Sequence, residues 1–142
     1  MKKRIIALGL LWCLSAVMLQ AARVDTVLVR SAAMNKDVKV VYVLPDKAIG
    51  KQACPVVYLL HGYGGNARSW MQLKPELPQM ADEKGIIFVC PDGKNSWYWD
   101  SPENPAYRYE TFVTSELVKY TDGNYATIPD RKARAISGLS MG

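Results

Sequence analysis

Pro55-Val56-Val57-Tyr58-Leu59-Leu60-His61-Gly62-Tyr63-Gly64-Gly65 sets five apolar residues in a row between a proline and a glycine-rich turn. A strand with one wet face alternates polar and apolar residues, whereas an unbroken apolar run of this length fits a strand buried on both faces. Strands of that kind belong to parallel sheets covered by helices. The reading extends downstream to Ile86–Cys90, a second apolar run, closed by Pro91-Asp92-Gly93. Between the two lies a helical stretch over 69–84, interrupted by Pro75 and Pro78 and stopped by Gly85. After a loop over 94–105, residues Tyr109, Phe112, Val113, Leu117 and Tyr120 recur at helical spacing, so an amphipathic helix is expected over 107–121. A last strand is expected over 133–138.

Upstream, Val24–Arg30 and Val38–Leu44 are β-branched runs separated by a polar turn, a candidate antiparallel hairpin. Pro45 ends it, and a polar loop is expected over 46–52. Strands alternating with helices after a hairpin give an α/β domain, its sheet mostly parallel with an antiparallel start. No internal repeat, low-complexity tract or second-domain linker interrupts it.

The last strand delivers Gly138-Leu139-Ser140-Met141-Gly142, a G-x-S-x-G motif. In this motif the serine stands on a sharp strand-to-helix turn with its hydroxyl exposed as a nucleophile. By itself the motif is short enough to recur by chance. Its context strengthens it: a small, apolar strand precedes it, and His61-Gly62-Tyr63-Gly64-Gly65 resembles the loop that lends a backbone N–H to an oxyanion hole. Glycines suit such a loop because its backbone must approach the substrate. The alternative for that loop is a plain turn after a strand.

Composition bounds the rest. With 49% hydrophobic and 22% charged residues in 142, the chain has the make-up of one modest soluble domain. The formal net charge of +5 would suggest an acidic partner, but Lys2, Lys3 and Arg4 open a stretch without any acidic residue, and the remainder is nearly balanced. Nucleic-acid binding therefore has no support. Residues 1–22 carry the parts of a secretory signal: the three basic residues, an apolar run from Ile5 to Leu19, and small Ala21-Ala22. That run is short of the ~20 residues needed to span a bilayer, so cleavage is expected over a membrane anchor, with no stable span afterwards. Cys13 as a lipoprotein cysteine is disfavoured by bulky Trp12 and by the apolar run that continues past it. The expected domains are thus a signal at 1–22 and an α/β domain at 23–142, secreted or periplasmic.

Export permits disulfides, and Cys54 and Cys90 would remain. Cys54 precedes one parallel strand and Cys90 ends another, a separation of ~23 Å at ~3.3 Å per residue. A bridge needs Cα atoms within ~7 Å, so two buried free thiols are expected. Neither a Cys/His metal cluster nor a phosphate-binding glycine loop is present, so no metal or cofactor is expected.

The Pro55–Gly65 run, Pro91-Asp92-Gly93 and Gly138–Gly142, in that order, resemble the esterase D group of α/β-hydrolases. That group includes S-formylglutathione hydrolases, feruloyl and acetyl-xylan esterases and the related mycolyltransferases. The resemblance covers about 24–142, with Met34–Pro45 matching the early hairpin and Asn95-Ser96-Trp97-Tyr98 the loop after Asp-Gly. It implies Ser140 as nucleophile and the backbone N–H groups of Tyr63 and Met141 as the oxyanion hole, with Gly64 as the alternative to Tyr63. Gly62, Gly64 and Gly65, with His61, would support that loop.

The resemblance also implies an Asp or Glu and then a His after Ser140. The sequence holds one histidine, His61, ahead of the oxyanion loop, where fixing the loop is the expected role rather than that of general base. Asp92, Asp100 and Glu116 precede the serine and are expected to be structural. The expectation is therefore the N-terminal part of an α/β-hydrolase fold, truncated after the nucleophile turn and inactive alone. Its expected substrate is a small-molecule or polysaccharide ester, with a feruloyl or acetyl group on carbohydrate as the first expectation. Acyl transfer to a sugar, or carbohydrate binding without catalysis, are the alternatives. Trp97, Tyr98, Trp99 and Tyr107 would either line such a pocket or pack a long loop against the domain.

Overall fold

A computed structural model describes residues 22–142. All of the expected signal except Ala22, and Cys13 with it, lies outside the described residues. Among them, no helix is long and apolar enough to cross a membrane.

The hairpin forms as expected. Strands β1 (Arg23–Ser31) and β2 (Lys36–Leu44) pair antiparallel with Val27 opposite Val40. The expected polar loop after Pro45 instead holds a single helical turn, α1 (Asp46–Ile49). Asp82 accepts the Asp46 N–H at 2.8 Å, supplying a partner that the short turn lacks internally. Strand β3 (Val56–Leu60) follows, then α2 (Ser69–Leu73) and α3 (Leu77–Lys84).

Only one of the two prolines expected to interrupt the helical stretch does so. Pro75 falls in the break, but Pro78 sits in the first turn of α3, where its missing N–H has no intrahelical partner to lose. Gly85 ends α3 at φ +63°, the left-handed conformation glycine adopts freely. Strand β4 (Ile87–Pro91) comes next, then the long loop. The expected amphipathic helix is present but shifted towards the C-terminus. It comprises α4 (Tyr109–Thr111), a π-helical stretch over Phe112–Glu116 and α5 (Leu117–Asn124). A 3-10 turn (Arg131–Ala133) leads into β5 (Arg134–Gly138).

The five strands form one sheet in the order β1-β2-β4-β3-β5. β2 is antiparallel to β1 and β4, while β3 runs parallel to both β4 and β5, so only β2 opposes the other four. Helices cover both faces. Val40, Tyr42, Tyr58, Ile87 and Val89 pack against Phe112, Val113 and Leu117 on one side. Val41, Val43, Leu59, Phe88 and Cys90 meet Ala67, Leu77 and Ala81 on the other. This is why β3 and β4 read as continuous apolar runs. Cys54 and Cys90 are buried and free. Burial pushes the Cys90 thiol up to about 12 and raises that of Cys54, so both stay protonated and inert at neutral pH.

Candidate active site

The carboxyl ends of β3, β4 and β5 lie side by side, and the three motifs leave the sheet there. β5 pairs with β3 up to Leu60 opposite Gly138. The chain then turns sharply, with Leu139 donating its N–H to Leu60 O at 3.2 Å and Gly142 to Leu139 O at 3.0 Å. Ser140, at the apex, has φ +55° and is exposed. A serine held in the left-handed region costs of order 1 kcal/mol, and such strain gathers at functional turns. The turn depends on its flanking glycines: a Cβ on Gly138 would lie 2.2 Å from the Gly142 carbonyl carbon, and one on Gly142 would lie 2.4 Å from Leu60 O. Those contacts are with backbone, so no side-chain adjustment relieves them.

Gly62 brings the second motif against this turn. A Cβ there would sit 3.2 Å from Leu139 O and 3.5 Å from the Ser140 Cβ. Beyond it, Gly64 donates its N–H to Asn95 Oδ1 at 2.7 Å, and Gly65 to Gly62 O at 3.1 Å. Among the described residues the N–H groups of Tyr63 and Met141 meet no acceptor, and the Ser140 hydroxyl meets no partner. Of the two residues weighed for the upstream oxyanion donor, Gly64 already spends its N–H on Asn95 and Tyr63 keeps its own.

His61 is 1% exposed, with both ring nitrogens and its backbone N–H hydrogen-bonded. Nε2 accepts the Gly93 N–H at 2.9 Å, so the ring proton is on Nδ1, which is donated to Gly62 O at 2.7 Å. The His61 N–H is donated in turn to the Tyr98 hydroxyl at 3.1 Å, and the Tyr98 ring stands edge-on to the imidazole. Burial holds the Tyr98 phenol above its usual range, hence neutral. A ring fully engaged in this way has no free lone pair to accept a proton from Ser140.

Asp92, next to Gly93, keeps its carboxyl well below the usual carboxylate range. Burial opposes its charge, but is outweighed by Lys94, whose ammonium and N–H donate at 2.8 and 2.9 Å. Since Nε2 stands 3.6 Å from Asp92 Oδ1 and is already occupied, Lys94 is the stronger partner. The other early acids are also engaged away from Ser140. Asp100 accepts the Thr111 N–H at 3.0 Å, and Glu116 accepts Ser31 Oγ at 2.6 Å and Ala33 N–H at 2.8 Å.

The aromatic cluster divides. Tyr98 turns inward under His61, and Tyr107 packs edge-on against buried Tyr109. Trp97 and Trp99 stay exposed, and Trp97 lies beside Tyr63. Sequence reasoning missed the Asn95 contact and the opposite orientations of Trp97 and Tyr98. Both rest on a loop with left-handed residues at Lys94, Trp97 and Tyr98, none of which is glycine.

The profile of the putative esterase family matches residues 31–142. An acetyl esterase of Caldicellulosiruptor saccharolyticus is 28% identical over 120 residues, covering 79% of this chain and 44% of that protein. An endo-1,4-beta-xylanase/feruloyl esterase of Xylanibacter ruminicola is 36% identical over 102 residues, covering 66% of this chain and 14% of that protein. Among solved structures, an S-formylglutathione hydrolase from Agrobacterium tumefaciens superposes with TM-score 0.74 at 26% identity, covering 84% of this chain and 50% of that one. The architecture is that of the α/β-hydrolases, and the chain spans about half the length of these relatives or less.

Proposed function

Because this chain belongs to the putative esterase family, we propose that it supplies the nucleophile and oxyanion hole of an exported serine carboxylic-ester hydrolase acting on acetyl or feruloyl esters of carbohydrate. The observation that carries this reading is Ser140, strained at φ +55° on an exposed turn against Gly62, with the N–H groups of Tyr63 and Met141 unspent beside it. Ser140 Oγ forms a bond to the ester carbonyl carbon as its proton passes to a general base. The carbonyl oxygen takes up the negative charge under the N–H groups of Tyr63 and Met141, and the C–O bond to the alcohol then breaks as the alcohol receives that proton. Water, activated by the same base, hydrolyses the acyl-serine and releases the acid. His61 is bonded elsewhere, so the base and its orienting acid belong to residues outside these 142; the greater length of the relatives supports this.

Carbohydrate esters are favoured by the similarity to an acetyl esterase and to a xylanase/feruloyl esterase, and export by the basic, apolar and small-residue segments of 1–22. The decisive experiment is hydrolysis of p-nitrophenyl acetate by the full-length gene product, with and without Ser140→Ala. Loss of turnover in the variant is expected, and equal rates would remove Ser140 from the mechanism. Residues 23–142 produced alone are expected to show no turnover above that of the variant.

A further inference from the structure

Acyl transfer through Ser140 leaves one feature beside it unexplained. Tyr63 is 65% exposed and Trp97 61%, with ring centroids 6.3 Å apart and planes inclined by 41°. The rings come from separate loops that are tied together where Asn95 Oδ1 holds the Gly64 N–H. Exposing an indole forgoes the burial that usually stabilises one. Here the backbone is also strained to achieve it, since Trp97 has φ +56°. Tyr98 carries the same strain at φ +50°, but its hydroxyl receives the His61 N–H and its ring packs beneath the loop. The Trp97 strain leads only outward, to Tyr63.

We propose that Tyr63 and Trp97 form an open stacking platform for a pyranose ring in the alcohol part of the ester, a proposal that rests on the carbohydrate-ester reading above. The two rings are too close and too inclined to sandwich a planar group, so they present one shallow apolar surface with water above it. A pyranose suits such a surface. Its C–H face lies on the rings and its hydroxyls reach the polar groups of the adjoining groove, where Ser69 and Gln72 stand beside Tyr63. A planar phenolic acyl group gains most by leaving water entirely, which rings this exposed do not offer. Placement agrees with the alcohol part: Gly62 touches Ser140, Tyr63 follows it, and a groove of about 280 Å³ continues from Tyr63 along Ser69, Gln72 and Leu73 to Leu139.

The test uses the full-length gene product carrying Ser140→Ala, so that no ester is consumed, titrated calorimetrically with xylotetraose, acetylated xylotetraose and free ferulate. Adding Trp97→Ala is expected to raise Kd for both oligosaccharides about tenfold or more, and Trp97→Tyr to restore most of the affinity. Trp97→Asn, whose side chain tolerates the left-handed backbone, serves as a second ring deletion, with circular dichroism confirming the fold of each variant. An unchanged Kd for the oligosaccharides overturns the platform. So does Trp97-dependent binding of ferulate without binding of xylotetraose, which would assign the rings to the acyl group. Failure of the esterase reading is seen separately, as absence of p-nitrophenyl acetate hydrolysis by the protein that retains Ser140.

Discussion

The His61–Gly65 loop and the Gly138–Gly142 turn touch at Gly62, yet they are held in opposite ways. Beneath the loop is a buried imidazole bonded to Gly62 and Gly93, a tyrosine hydroxyl below it and an asparagine across it. The turn stands on β5, which among the described residues pairs with β3. Its residues 135–140 are exposed, Ile136 by 59%. One side of the site is thus fixed by polar contacts that these residues supply themselves. The other is fixed by strand register and by two glycines packed backbone to backbone. Damage to the first should therefore cost stability and rate together, while damage to the apex of the second should cost rate alone.

The largest effect tests the second half of that contrast. Ser140→Gly removes the proposed nucleophile and also the side chain that makes φ +55° costly. In the full-length gene product, ester hydrolysis is expected to fall by about 10⁴-fold or more, while stability in urea rises by up to about 1 kcal/mol. A variant that loses both rate and stability would show that the serine side chain helps hold the turn.

His61→Ala tests the first half. It leaves the Gly93 N–H unpartnered, takes one of two donors from the Gly62 carbonyl and opens a cavity under the loop, so a loss of about 2–4 kcal/mol in urea unfolding is expected, together with loss of rate. If His61 were instead the base, His61→Gln would abolish hydrolysis while leaving the melt unchanged. Asn95→Ala should act more mildly. Gly64 would regain a free N–H and the loop some freedom, so kcat is expected to fall about tenfold with KM little changed, less than the ~10²–10³ lost with an oxyanion donor itself. An unchanged kcat would show that the glycines alone hold the loop.

Much of this was legible in the sequence because it lies in periodicity and in local turns. The unbroken apolar runs at 56–60 and 86–90 announced strands covered on both faces, and Pro91-Asp92-Gly93 and Gly138–Gly142 announced where they end. The position of His61 ahead of the loop raised the expectation of a ring bonded to that loop, and its bonds run to Gly62 and Gly93. What stayed hidden depends on contacts across many residues. Glu116 reaches Ser31 over 85 positions, and Asn95 reaches Gly64 over 31. Trp97 and Tyr98 are neighbours of similar composition, and only the fold shows that one faces water and the other His61. Pro78 also misled, because a proline that ends one helical turn and a proline that opens the next read alike without the register of the break.

The smallest effect is a pH dependence confined to the better-anchored side. Asp92 remains ionised in the folded protein at a pH where the unfolded chain, near the ordinary value of ~3.9, has begun to take up a proton. Its contribution to stability is therefore complete above about pH 5 and is lost as pH falls through and below about 4. Lys94 stands largely in water, so screening limits the pair, and about 1 kcal/mol is expected. Asp92→Asn should be less stable than the parent at pH 7 and lose less on going to pH 4. Parallel loss in the two proteins would mean that another carboxylate governs the acid limb. Because Asp92 adjoins Gly93, whose N–H orients His61, protonation should also loosen the His61–Gly65 loop before the β5 turn, which has no ionisable group in its backbone contacts. Amide exchange measured at pH 7 and 4 should accordingly rise at Gly64 and Gly93 more than at Leu139 and Gly142.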